Sequence, residues 1–285
     1  MKRPGITLIS ILIVAAVVAF GVRLYTQYKT KIAGSLTKAI TLKEFSFADK
    51  NSLDKWDEKV LTQKQTVYSL ENLDGKNCVK GVSDDSASTL FFKQRLSCKR
   101  DPFLRWKWKA EKFPSRKKKE NLTDKGEFDF AAQIYVVFSA KFFLNAKAIQ
   151  YVWAETLPVG TVATSPYTKN VKLLVLESGA GEDWKEETRD IKADFRELFG
   201  QETEKDVDAI SFMTDADSTN STASAYYTDI AFGYLQKDLE TVFEKEVGKE
   251  IAEGEVVEET KPVSLQEKTP TNIKKQEVKT FGLKV

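Results

Sequence analysis

The sequence predicts a mostly β protein: an antiparallel β-sandwich or jelly roll with one or two short helices. It is preceded by an N-terminal transmembrane helix and followed by a disordered C-terminal tail. Three observations predict it. Short apolar runs recur between Gly, Pro, Asn and Asp punctuation from Ser46 to Phe232. Several alternate with period two, most clearly FLRWKWKA at 103–110. Only one stretch, Asp183–Leu198, carries helical apolar spacing inside that span.

Taken in order, Lys2 and Arg3 precede an uncharged run, ITLISILIVAAVVAFGV, from Ile6 to Val22. A run of this length lies at the lower limit for spanning a bilayer. Ala19 and Gly21 supply small residues for signal cleavage, but the run continues through Leu24 and Tyr25 to Tyr28, an interfacial anchor pattern. Residues 1–28 therefore read as an uncleaved signal-anchor. A short N-terminus stays in the cytoplasm, which places the remainder in the periplasm of a bacterial inner-membrane, single-pass protein. Residues 29–45 read as a stalk, helical from Lys29 to Thr41.

The sandwich domain is expected over 46–235. Strand signals fall at Ser46–Phe47, Val67–Leu70, Asn77–Val82, Ser88–Gln94, Phe103–Ala110, Ala131–Ser139, Ala148–Thr156 and Val171–Glu177. Asn51–Asp54 reads as a turn, and Asp74-Gly75 as a hairpin turn. In Asp183–Leu198, Trp184, Ile191, Phe195 and Leu198 share a helical face that Gly200 terminates. The stretch Ala209–Phe232 reads as strand, polar loop, strand. Lys237–Glu253 reads as a charged helix over 236–253, and 254–285, rich in Glu, Lys, Thr and Pro, as a disordered tail.

Composition excludes several chemistries. Histidine is absent, which removes Ser-His-Asp and Cys-His catalysis and the commonest zinc sites. Net charge is +2, so no nucleic-acid partner is indicated. Hydrophobic content of 41% suffices for a core. Cys78 and Cys98 are too far apart for a CxxC pair. They fit one disulfide in an oxidising compartment, or two buried thiols.

Four candidate sites follow. Tyr151, Trp153 and Glu155 share one strand face, where the rings would stack a sugar and Glu155 would bind its hydroxyls, unless the rings are core. Glu177, Arg189, Asp190 and Asp194 form another group: Glu177 ends an apolar strand and needs a partner, which Arg189 supplies, and Arg189 and Asp190 read as a structural ion pair holding helix to sheet. Asp215, Asp217 and Asn220 offer oxygens to calcium, or cap a hairpin loop by local hydrogen bonds. Arg105, Lys107 and Lys109, with the loop Arg116–Lys119, present a basic face that is either solvated or docks an anionic glycan or lipid. A glycosidase would need two of Asp129, Glu155 and Glu177 in one cleft.

The order LRWKWK (104–109), DFAAQIYVVF (129–138), YVWAE (151–155), SPYTKNVKLLVLESG (165–179), Trp184 with RDIKADFRELFG (189–200), and MTDADSTNSTASAYYTDIAF (213–232) resembles the bacterial domain-of-unknown-function family 3047. The resemblance covers roughly Ser46–Phe232 and implies an envelope setting and a sandwich similar to carbohydrate-binding modules. In that family's pattern the third block carries an acidic pair and an Arg. Here Phe128 stands at one acidic position, Asp129 keeps the other, and Gln133 replaces the Arg. The fold also looks like that of the mitochondrial complex I intermediate-associated protein, an assembly factor. Two functions are therefore expected: a non-catalytic, membrane-anchored glycan or glycoconjugate binder, or a scaffold for a membrane protein complex. A carboxylate-dependent glycan-active enzyme is the third.

Overall fold

The computed structural model describes residues 39–140, 146–181, 183–203 and 205–235. The expected anchor, charged helix and tail lie outside these residues. Among the described residues, no helix is long and apolar enough to cross a membrane.

Two sheets face each other. The first contains β1 (Ala39–Phe45), β3 (Val67–Leu73), β4 (Lys76–Asp84), β6 (Pro102–Lys112), β11 (Lys185–Asp190) and β13 (Thr222–Leu235). Its order is β11-β6-β13-β4-β3, with β1 also paired to β13. The second contains β2 (Asp57–Val60), β5 (Ala87–Leu96), β7 (Ala132–Phe138), β8 (Ala148–Ala154), β9 (Val162–Thr164), β10 (Val171–Ser178) and β12 (Val207–Asp215). Its order is β2-β5-β12-β7-β8-β10-β9. Pairing is antiparallel except between β8 and β10, which run parallel, so the expected purely antiparallel sandwich is mixed at that point.

Period-two alternation builds the core. On β6 the face carrying Leu104, Trp106, Trp108 and Ala110 turns inward, as the alternation predicts. Trp106 stacks on Tyr151 of β8 at 5.4 Å between ring centroids, and Trp108 meets Trp153 at 5.7 Å. The outer face of β8 is covered too: Leu122, Phe128 and Phe130 pack on Val152, Ala154, Leu173 and Val175. All seven residues of β8 are buried as a result.

The Asp74-Gly75 turn joins β3 to β4 with positive φ at both residues, 54° and 76°, the pair of values a two-residue hairpin turn requires. Two expectations are corrected. The end of the stalk, from Ala39, is a strand of the first sheet rather than helix. The stretch Asp183–Leu198 is half strand: β11 runs to Asp190, and only α1 (Ile191–Phe199) is helical. Within α1 the expected face survives, with Ile191, Phe195 and Leu198 buried and Gly200 closing the helix at φ 65°. Trp184 instead lies near Tyr226 of β13, at 6.2 Å.

Cys78 and Cys98 are both free and buried, so the disulfide is not formed. Burial pushes both thiols up to about 11, which leaves them protonated and unreactive at neutral pH.

Candidate functional site

The polar loop at 216–221 is not a hairpin. It leaves β12 in one sheet and enters β13 in the other, so it is an arch over the end of the sandwich. Its backbone is tied down on both sides: Ala216 donates to the Ser86 carbonyl at 3.2 Å, and Asp85 donates to the Ser221 carbonyl at 2.8 Å. Asn220 sits at φ 48°, a left-handed conformation that Asn tolerates, and its side chain is exposed. Asn220 shapes the turn.

Asp129 joins the two aspartates of the loop. Carboxylate oxygens of Asp129, Asp215 and Asp217 lie within 4.8 Å of one another. Asp129 is fully buried and accepts three hydrogen bonds from the arch: Ser218 N–H at 3.1 Å, Thr219 N–H at 2.7 Å and the Thr219 hydroxyl at 2.7 Å. Asp215 Oδ1 accepts from Phe130 N–H at 2.8 Å and from Gln133 Nε2 at 2.6 Å. Gln133 Oε1 in turn accepts from Gln150 at 2.7 Å and from the Tyr135 hydroxyl at 3.0 Å. A buried polar row thus runs from the arch across β7 and β8.

Burial raises the Asp215 carboxyl well above the usual carboxylate range, and the charge of Asp129 raises it further. Asp217 is also raised, first by burial and then by Asp129. Three carboxylates this close and this buried need a proton or a cation. The donors are all carboxylate oxygens, the ligands a hard cation takes.

A part-exposed aromatic ring lies on a neighbouring loop. Tyr167, on the loop between β9 and β10, is 38% exposed. Its ring is edge-on to buried Phe128 at 5.6 Å, and the exposed Lys125 ammonium stands over it at 4.9 Å. Its hydroxyl donates to the Lys125 carbonyl at 3.5 Å. Burial raises its phenol, Ser218 opposes that shift, and the charges of Asp217, Asp129 and Asp215 add to it.

The other expected site residues separate. Tyr151 and Trp153 are 0% and 1% exposed. The Tyr151 hydroxyl donates to Asp194 at 2.6 Å, and Trp153 Nε1 donates to the Gly179 carbonyl at 2.9 Å. They are core, and no ring face is free for a sugar. Burying a ring of roughly 200 Å² contributes about 5 kcal/mol at most, which an open stacking platform would forgo.

Glu155 pairs with Arg116 at 3.2 Å. Arg116 also faces Glu120 at 3.3 Å, and its Nη2 donates to the Asp129 carbonyl. Glu120 accepts from three successive backbone N–H groups, Glu155, Thr156 and Leu157, so this hub fixes the loop after β8. Glu177 is partly buried at the end of β10. Arg189 grips Asp194 through Nε at 2.8 Å and Nη2 at 2.5 Å, whereas Asp190 caps α1 by accepting from Ala193 N–H. The structural ion pair is therefore Arg189–Asp194.

The basic face of β6 is neutralised in place. Arg105 faces Glu44, Lys107 faces Asp229 and Glu186, and Lys109 faces Asp74. It is a solvated, salt-bridged sheet face rather than an anion-docking surface.

A family model described as a protein of unknown function, DUF3047, matches residues 54–231. The chain belongs to this family. No curated protein matches the sequence.

Among solved structures, the chain is similar to a family 11 carbohydrate-binding module of a Clostridium thermocellum cellulosomal cellulase, with 9% identity over 70% of this chain and 97% of that one, at a TM-score of 0.38. It is similar to the cellulose-induced protein Cip1, with 10% identity over 67% and 96%, at 0.39. It is also similar to a xylan-binding domain from Paenibacillus barcinonensis, with 8% identity over 70% and 97%, at 0.38. Likenesses this distant leave any ligand to be argued from the chain's own residues.

Proposed function

We propose that this DUF3047 protein is a non-catalytic binding module for a glycan or glycoconjugate, and that recognition sits at the sandwich corner formed by Tyr167, Asp217 and Ser218. One observation carries the proposal. An exposed aromatic ring stands beside a partly exposed carboxylate and a hydroxyl-bearing residue on a rigidly tied arch. A ring face stacks the apolar side of a sugar, while oxygens beside it fix the hydroxyls. Lys125 lies over that ring on an exposed side chain and swings aside or contacts the same ligand. Catalysis is not part of the proposal, because both Asp129 oxygens already hold the arch. The test is a glycan array, including soluble peptidoglycan fragments, followed by calorimetry of wild type and Tyr167→Ala. Loss of binding in the variant supports the site; absence of any glycan response removes the proposal.

The proposal includes the setting read from the sequence: an anchor at Ile6–Val22 in a bacterial inner membrane, with the sandwich in the periplasm. Calcium belongs to it as the cation that replaces the proton among Asp129, Asp215 and Asp217. Calcium should then raise the denaturation midpoint of wild type but not of Asp217→Asn. An unchanged wild-type midpoint removes calcium.

A second reading, a scaffold for a membrane protein complex, is favoured by the burial of Trp153, since that reading needs no open aromatic platform. Crosslinking that recovers only free chain counts against it.

A further inference from the structure

Sheet edges expose unpaired N–H and C=O groups, and folded proteins guard them with short strands, charges, Pro or bulges. Among the described residues, four of the five edge strands are guarded in one of these ways. β2 is four residues with three charges, DEKV, and β9 is only three residues. β11 is KEETRD, and β1 carries Lys43 and a register break between Thr41 and Lys43. β3 is different. It runs seven residues, VYSLENL, without Lys, Arg or Pro. Its register with β4 is unbroken from Val67↔Val82 to Leu73↔Lys76. Val67 is 61% exposed and its cross-strand neighbour Val82 is 38% exposed.

We infer that β3 is a strand-addition edge and that its occupant is β3 of a second copy of this chain. The hairpin geometry sets which groups are free. After a two-residue turn, the flanking residues form a hydrogen-bonded pair, and such pairs then alternate. Leu73, Glu71, Ser69 and Val67 therefore bond to β4, while Asn72, Leu70 and Tyr68 direct their backbone groups outward. Two copies meeting antiparallel about Leu70 set Leu70 opposite Leu70 and Tyr68 opposite Asn72. That register satisfies all the outward groups in about six hydrogen bonds. On the solvent face it sets Val67 opposite Leu73, and Ser69 opposite Glu71, with no like charges directly opposite. The strand is self-complementary, which is what a two-fold interface requires. Glu71 stands diagonal to Glu71 of the second copy on the exposed face, so added salt strengthens the pairing.

The experiment is sedimentation velocity of the full chain in mild detergent over a concentration series. Wild type shows a monomer–dimer equilibrium. Ser69→Glu sets one carboxylate against Glu71 of the other copy, twice by symmetry, and weakens the dimer by roughly tenfold. Ser69→Lys creates two opposite-charge pairs and tightens it by a similar factor. Within one chain residue 69 stands opposite Lys80 and bonds Glu71, and these opposite charges act on the folding stability of either variant in opposite senses. A denaturation midpoint run alongside separates misfolding from interface loss. A wild type that stays monomeric throughout, or a dimer that neither variant moves, overturns the inference.

Discussion

Replacing Asp129 by Asn and Asp215 by Asn should have very different costs, although both side chains are buried and belong to one cluster. Asp129 uses both oxygens as acceptors, for Ser218 N–H on one side and for the Thr219 N–H and hydroxyl on the other. An amide offers one oxygen and places an NH₂ against a donor. At least one charge-assisted hydrogen bond is lost and one donor is left facing another, about 2–4 kcal/mol in all. Burial and the charge of Asp129 both favour the protonated form of Asp215 in the fold. Its two acceptor contacts both fall on Oδ1, which Asn retains. Asp215→Asn should therefore stay within about 1 kcal/mol of wild type. The assay is urea denaturation of the full chain in mild detergent with EDTA at pH 7, followed by tryptophan fluorescence. At a slope of about 2 kcal/mol per molar, Asp129→Asn lowers the midpoint by roughly 1–2 M and Asp215→Asn by less than about 0.5 M. Equal losses, or a larger loss for Asp215→Asn, would refute the assignment of the proton to Asp215.

The same proton gives a pH signature: the folded Asp215 carboxyl is raised, so its contribution is complete below the unfolded value near about 4 and is lost as pH rises toward the folded value. Wild type should lose up to about 1.4 kcal/mol per pH unit relative to Asp215→Asn over that window, measured as the difference of two denaturation series, and parallel series would contradict it. Glu120→Gln removes charge from a carboxylate holding three backbone N–H groups and Arg116, and should cost about 2–4 kcal/mol in a urea midpoint. Gly181→Ala places a methyl 2.4 Å from the Trp153 ring and should cost about 1–3 kcal/mol, with a shift in tryptophan emission as the core ring moves.

Most long strands were legible because alternation is a local property, but Ser46–Phe47 lies just past the end of β1, and the short edge strands β2 and β9 carried no signal. The face of β6 read from FLRWKWKA is the face that packs. β11 was not, because KEETRD has no apolar alternation. Its inward residues, Glu187 and Arg189, are charged and buried, at 0% and 2% exposed. Trp184 and Ile191, seven residues apart, then imitate a helical face. The parallel pairing of β8 with β10 depends on how the chain crosses over, which residue spacing does not encode.

The site was half legible. Asp215 and Asp217 stood out as an acidic loop, but Asp129, 86 residues before Asp215, joins them through the pairing of β7 with β12, a long-range contact that residue spacing does not encode. Period two put Tyr151 and Trp153 on one face, yet it does not say that the opposite sheet covers that face or that β8 ends before Glu155. Tyr167 was passed over within a turn-rich loop. The available signal was a lone aromatic among Ser, Pro, Thr and Lys in SPYTK.

The most direct measurement is calorimetric titration of the full chain with the best glycan from an array, comparing wild type, Tyr167→Ala and Trp153→Phe. The proposal predicts that Tyr167→Ala weakens binding by tenfold or more, about 1.4 kcal/mol, with an unchanged urea midpoint. It predicts that Trp153→Phe leaves affinity intact while lowering the midpoint, because that ring is core. Binding that survives Tyr167→Ala, or that fails in Trp153→Phe with the fold intact, would contradict recognition at the Tyr167–Asp217 corner.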